Sequence, residues 1–113
     1  MGLLNNKHND IYILKVDLPR TSIYLANDFK DMLFKAIDEG EKKLIVDFSA
    51  CDFVDSTFLG VLVISHKKLI GIGGNIKIVV NNPNIIASIE MTRMNKIFEV
   101  YKSLDEAIQS YNS

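Results

Sequence analysis

The sequence has no tryptophan, one cysteine, two prolines and two histidines among 113 residues. A single thiol, Cys51, excludes an internal disulfide and a multi-cysteine zinc site. It fits a reducing compartment, and Cys51 reads as a small buried hydrophobe. His8 lies in a polar stretch near the N-terminus and His66 in a patterned helical segment, so neither a histidine-rich metal centre nor a catalytic triad has the residues it needs. No metal or cofactor is expected. Charge of one sign is also lacking. Thirteen basic residues against fourteen acidic ones leave a net charge of −1, with no electrostatic excess to hold a phosphate backbone or an anionic bilayer. Direct nucleic-acid binding is therefore not expected. The longest apolar run, Phe58 to Ile64, is interrupted by Gly60 and falls far short of the roughly 20 residues a membrane span needs. The first ten residues lack the apolar centre of a secretion signal. A cytoplasmic address is expected, with no membrane partner.

What is present is ordinary globular composition, 48% apolar and 24% charged, which predicts one folded domain over residues 1–113 with residues 1–9 as a flexible tail. Ile11-Tyr-Ile-Leu-Lys-Val16 is β-branched and aromatic and predicts a strand, closed by the turn Asp17-Leu18-Pro19-Arg20. Leu25, Phe29, Met32, Leu33, Ala36 and Ile37 recur at helical spacing, and Gly40 ends that helix. Leu44-Ile-Val-Asp-Phe48 is almost continuously apolar, the pattern of a central strand covered on both faces. A second helix is expected to start near Asp55 and Ser56, both good N-caps, and to run to about Ile70, before Gly71, Gly73 and Gly74. Asn75-Ile-Lys-Ile-Val-Val80 predicts another strand. A short helix around Ile85, Ile86 and Ile89 follows, then a last strand over residues 97–101. Ser103-Leu-Asp-Glu106 is a capping box that opens a terminal helix. Alternating strands and helices imply an α/β fold with a largely parallel sheet.

Enzyme signatures are weak. Gly71-Ile-Gly-Gly74 follows a helix and precedes a strand, the reverse of a phosphate-cradling loop, and reads as a helix stop. Asp47, at the end of a central strand, sits where a receiver-like phosphotransfer domain carries its phosphoacceptor. Such a site also needs an acidic pair for a divalent cation and a lysine after a later strand, and here that strand runs into Asn81-Asn82. His66 falls on the helical side of Leu59, Leu62, Val63 and Ile70 and reads as a satisfied interface histidine rather than a ligand.

Val54-Asp55-Ser56-Thr57 places two hydroxyls and a carboxylate where loop becomes helix. Local chemistry alone makes this a helix cap. Less often such a position is a phosphosite, for which a phosphoryl group on Ser56 would meet unpaired helix N–H groups and the positive end of the helix dipole. If Leu59, Leu62, Val63 and Ile70 face the sheet, then Thr57, Val61, Ile64 and Lys68 point away. Val61 and Ile64 would then be exposed beside Ser56, with Phe58 at the border, as a partner surface or as a face covered by another helix or a dimer mate.

The segment Leu44-Ile-Val-Asp-Phe-Ser-Ala-Cys-Asp-Phe-Val-Asp-Ser-Thr-Phe-Leu-Gly60 is similar to a family pattern of hydrophobic strand, short loop and Asp-Ser-Ser/Thr-Gly-Leu-Gly. Together with the glycine-terminated helix before Asn75-Ile-Lys-Ile-Val-Val80 and with Met91-Thr-Arg-Met-Asn-Lys-Ile-Phe98, it closely resembles the STAS-domain family of bacterial anti-sigma-factor antagonists. The resemblance implies a mixed, mostly parallel sheet of four to five strands flanked by about four helices. It implies a protein-binding module rather than a catalyst, working as a monomer or weak homodimer. The serine after the aspartate, here Ser56 with Thr57 as the neighbouring alternative, would be phosphorylated by an anti-sigma factor that is itself a serine kinase, and restored by a phosphatase. The unphosphorylated form would bind the anti-sigma factor through Asp55, Ser56, Thr57, Phe58, Val61 and Ile64 and so release a sigma factor for transcription. Two departures stand out: Phe58 occupies the usual glycine position, and Val16-Asp-Leu-Pro-Arg20 replaces an acidic turn. The alternatives are a STAS scaffold without phosphorylation, or a receiver-like domain using Asp47.

Overall fold

The computed structural model describes residues 2–112. Its elements run β1 (Leu3–His8), β2 (Ile11–Val16), α1 (Ile23–Asp38), β3 (Lys43–Asp47), α2 (Ser56–Ile70), β4 (Asn75–Val79), α3 (Pro83–Met91), a 3₁₀ turn (Met94–Lys96), β5 (Glu99–Tyr101) and α4 (Leu104–Asn112). One five-stranded sheet has the order β1-β2-β3-β4-β5. β2 to β5 are parallel, with Ile13 opposite Ile45 and Ile45 opposite Lys77, and β1 runs antiparallel at the edge. This is the mixed, mostly parallel α/β sheet expected, with β3 at its centre.

Because each parallel strand lies next to its predecessor, crossovers of the same hand put α1, α2 and α3 on one face. Strand side chains of alternating parity divide between two cores. Leu14, Val16, Leu44, Val46, Ile76 and Ile78 pack with Phe29, Leu33, Phe58 and Leu62 of the helices. Ile11, Ile13, Ile45 and Val79 pack with Ala107 and Ile108 of α4 on the other face. α4 is further fastened by Tyr111, whose hydroxyl donates to the Leu44 or Asn75 carbonyl oxygens at 2.8 and 3.0 Å. Its capping box forms as expected, the Glu106 N–H donating to Ser103 Oγ at 3.2 Å. Lys77, buried on this face, donates to Ser110 Oγ at 2.7 Å and lies 4.2 Å from the Tyr111 ring centre, so its charge is satisfied where it emerges from the sheet.

One expectation is corrected here. The segment read as a flexible tail at residues 1–9 forms β1 from Leu3 to His8, paired along its length with β2; residue 1 lies outside the described residues. The strand's side chains are exposed except for Leu3, which removes the apolar alternation by which strands are recognised. A two-residue turn, Asn9-Asp10, closes the hairpin with Asn9 at φ 58°, and asparagine tolerates that left-handed conformation.

Candidate functional site

The chain's two longest helices begin at the same end of the sheet, and the loops that lead into them are joined. Pro19 O accepts from the Asp52 and Phe53 N–H groups at 2.6 and 3.2 Å, and the Thr21 N–H donates to Phe53 O at 3.2 Å. The Phe53 ring is stacked by the Arg20 guanidinium at 4.5 Å. At the base of the second loop, Asp47 Oδ1 accepts from the Ser49 N–H at 2.9 Å and tightens the turn after β3.

Asp55 organises the junction. Its carboxylate caps α2 by accepting from the Phe58 N–H at 3.3 Å, as a residue at this position should. The same oxygen accepts from Thr21 Oγ1 at 3.1 Å, and the other accepts from Thr57 Oγ1 at 2.9 Å. The Asp55 N–H in turn donates to Thr21 Oγ1 at 2.7 Å. Thr21 is buried, so it ties the start of α1 to the start of α2 through a hydroxyl that gives and receives one bond each. Sequence reasoning missed Thr21. Its position directly before Ser22, the N-cap of α1, marks it as polar loop, and no local signal pairs it with a residue 34 positions on.

The two candidate phosphoacceptors differ. Thr57 is half-buried and its hydroxyl is committed to Asp55. Ser56, the first residue of α2, is exposed and its hydroxyl has no hydrogen-bond partner among the described residues. The α2 N-terminus points its positive dipole end at this side chain. Cys51, nearby in the loop, is buried, and burial pushes its thiol up to about 11, so it is a neutral packing group at physiological pH, as expected.

The structure divides the remaining residues of the expected contact surface. Ile64 is half exposed at 49%. Phe58 and Val61 are not on the surface: Phe58 is fully buried and stacks on Phe29 with ring centres 4.4 Å apart, and Val61 is buried in the same core. Ile70, read as facing the sheet, is 62% exposed, while Leu69 is fully buried. The physical reason is that α2 packs against both the sheet and α1, which is in contact along its flank. Two buried sides widen the apolar arc and rotate it away from the single stripe a helical wheel assumes. His66 sits at a packing interface as expected, edge-on to Phe98 at 5.3 Å, but it is not the satisfied histidine expected, because its buried Nδ1 has no hydrogen-bond partner among the described residues.

Asp47 is 3% exposed and faces the α4 side of the sheet. Among the described residues no group of three or more His, Cys, Asp or Glu stands together to hold a cation. The sheet order also differs from the doubly wound 2-1-3-4-5 order of receiver-type folds.

A hydrophobic central strand, a loop closed by Asp47, and a helix opened by Asp55-Ser56 within a β1-to-β5 mixed sheet are matched as a whole by the family model described as the STAS domain, over residues 4–107. The chain belongs to the STAS domain family. This STAS domain is 26% identical over 103 residues to a protein of Thermotoga neapolitana named as an anti-sigma factor antagonist, covering 88% of each chain. Its fold matches that of an anti-sigma factor antagonist from Mycobacterium paratuberculosis with a TM-score of 0.89 at 22% identity, over 98% of this chain and 93% of the other. It also matches the Bacillus cell-fate determinant SpoIIAA, solved in its phosphorylated form, with a TM-score of 0.77 at 14% identity over 96% and 98% of the two chains. Within this STAS domain, no helix among the described residues is long and apolar enough to cross a membrane.

Proposed function

We propose that this STAS domain is an anti-sigma-factor antagonist of the cytoplasm: a non-catalytic module that binds an anti-sigma factor when Ser56 is free and lets it go when Ser56 is phosphorylated. The observation that carries this reading is the contrast at the start of α2, where the Ser56 hydroxyl is exposed and unengaged while the Thr57 hydroxyl is tied to Asp55. That contrast favours Ser56 over Thr57 as the acceptor. Sequence relatives named as anti-sigma factor antagonists support the same reading.

The electrostatics fit a local switch. A phosphoserine brings about −1.5 to −2 charges at pH 7. The Asp55 carboxylate already lies beside it, and its oxygens are occupied by the Thr21 and Thr57 hydroxyls and the Phe58 N–H. The added charge is therefore accommodated by the helix N-terminus and by solvent, without displacing the cap. A docked partner would instead meet a bulky dianion where it had met a small neutral hydroxyl, and binding would be lost without refolding. In this cycle the anti-sigma factor is the serine kinase, ATP supplies the phosphoryl group, and a phosphatase returns the protein to its binding form. The contact surface comprises Ser56 and Ile64, with Asp55 and Thr57 half-buried beside them.

The test is to incubate the protein with ATP and the anti-sigma factor kinase and to map phosphate by mass spectrometry. Phosphate on Ser56 is expected. Ser56→Asp should weaken binding to that kinase by at least tenfold, and Ser56→Ala should leave it within about twofold. Phosphate absent from both Ser56 and Thr57, or equal affinities for the two variants in calorimetry, removes the switch.

A further inference from the structure

On the sheet face opposite α1, α2 and α3, the terminal helix α4 packs mainly on β3, β4 and β5. Beside it, between the start of α4 and the β1–β2 hairpin, a cavity of about 320 Å³ opens, its lining formed by Leu4, Asn6, Ile13, Lys15, Asp47 and Leu104. Strand register brings these side chains together. Leu4 stands opposite Lys15 and Lys15 opposite Asp47, so one row across three strands presents an apolar group, an ammonium and a carboxylate to the same side. Ile13, two residues before Lys15 and 4% exposed, forms the floor. Asp47 is almost wholly buried, yet only one of its carboxylate oxygens is engaged, Oδ1 by the Ser49 N–H at 2.9 Å. Oδ2 has no hydrogen-bond partner among the described residues. Lys15, half-buried on the adjacent strand, is the natural counter-charge, but the two form no ion pair among the described residues. A buried carboxylate oxygen without a donor is costly, and here it lines a cavity that holds an unpaired ammonium as well.

We propose that this cavity binds a small apolar α-amino acid of about the size of leucine. Its ammonium donates to Asp47 Oδ2, its carboxylate accepts from Lys15 Nζ, and its side chain lies over Ile13 between Leu4 and Leu104. Charge complementarity selects the class. A simple anion would answer Lys15 but set a like charge against Asp47, and a simple amine would do the reverse. A divalent cation wants several oxygen ligands, and here it would meet one carboxylate and a lysine. A zwitterion satisfies both groups at once through charge-assisted hydrogen bonds. Size agrees: at roughly 30 Å³ for each water-sized group, 320 Å³ admits about ten non-hydrogen atoms, and leucine has roughly nine. An apolar floor with a few convergent polar groups is also how small-molecule sites are ordinarily built. The site lies on the other side of the sheet from Ser56, so it stands or falls independently of the phosphorylation switch.

The test is a titration of the full-length, isotope-labelled protein with L-leucine, followed by proton–nitrogen NMR. Saturable shifts are expected at the amides of Leu4, Asn6, Lys15 and Asp47, with a Kd of about 1 mM or tighter, which ordinary ligand efficiency over so few atoms supplies. Asp47→Asn keeps an oxygen for the Ser49 N–H, and Lys15→Met keeps the apolar stem, so both should melt near wild type. Each removes one charge-assisted hydrogen bond and should weaken leucine binding about tenfold or more. Two further probes, 3-methylbutylamine and 4-methylpentanoate, each lack one charge of leucine and should bind the wild type about tenfold more weakly or worse; this arm holds even if a variant fails to fold. The absence of saturable shifts with leucine, isoleucine and methionine up to about 20 mM, well above the expected Kd, overturns the proposal. So do shifts confined to residues away from the cavity, or leucine affinity unchanged in both variants. An amine or acid that binds as tightly as leucine would make this a site for a single charge and overturn the amino-acid assignment.

Discussion

Replacing Phe58 by alanine tests whether this side chain lies beneath the functional surface or on it. The ring has no solvent exposure and stacks on Phe29 at 4.4 Å with 17° between planes. Phe48 extends the same cluster, 6.3 Å from Phe29. Truncating a buried phenylalanine costs about 3–5 kcal/mol, from lost transfer free energy and from the cavity left behind. The stacked pair contributes about 0.5–1.5 kcal/mol of such a loss. With an unfolding entropy near 2.1 cal/mol/K per residue, 113 residues give about 0.24 kcal/mol/K, so Tm should fall by roughly 12–20 °C. Far-UV circular dichroism through thermal and urea unfolding reads this directly, and the urea m-value should stay unchanged. Phe58→Leu should retain most of the stability and be phosphorylated at Ser56 like the wild type. A Phe58→Ala variant that melts within a few degrees of wild type but loses its partner would refute the reasoning, because it would put the ring on the surface.

Three further outcomes follow from the same geometry. Thr21→Val should cost about 1–3 kcal/mol in urea unfolding, because it leaves the Asp55 N–H unpaired and removes one donor from the Asp55 carboxylate; Thr21→Ser, which keeps the hydroxyl, should restore most of it. Val61→Lys, which places an ammonium at a buried position, should destabilise by on the order of 3 kcal/mol, whereas Ile64→Lys at an exposed position should melt near wild type. Burial pushes the Tyr111 phenol well above its usual value of 10.0. Above that pH the unfolded chain loses this proton while the native state keeps it, so stability should fall as pH rises, by on the order of 1 kcal/mol per pH unit. Tyr111→Phe should flatten that alkaline slope in urea titrations while lowering stability at neutral pH through loss of the bonds to Leu44 and Asn75; an unchanged slope would show that the phenol is not protected.

Much of the architecture could be read from local pattern. The strand at Leu44-Ile-Val-Asp-Phe48, the helix stop at Gly40 and the capping box at Ser103 each depend on chemistry within a few residues, and each is found close to its expected place. β1 escaped because an edge strand exposed on nearly all its side chains carries no apolar period; only its pairing with β2 makes it a strand. The central motif around Asp55-Ser56 was legible as a pattern, and its resemblance pointed to the STAS domain.

What only the tertiary structure decided is which neighbours matter. The sequence by itself determined that two hydroxyls and a carboxylate meet at the start of α2. The family resemblance put Ser56 ahead of Thr57, but the local chemistry of the cap did not separate them; that the Thr57 hydroxyl bonds to Asp55 while Ser56 is exposed is a matter of the fold. Nor could the sequence join Thr21 to Asp55 across 34 residues, since that contact exists only once β2 and β3 lie side by side. The placement of Phe58 and Val61 followed the same rule. A helical wheel divides a helix between one buried and one open side, but α2 is covered by both the sheet and α1, and the second cover turns two expected contact residues into core.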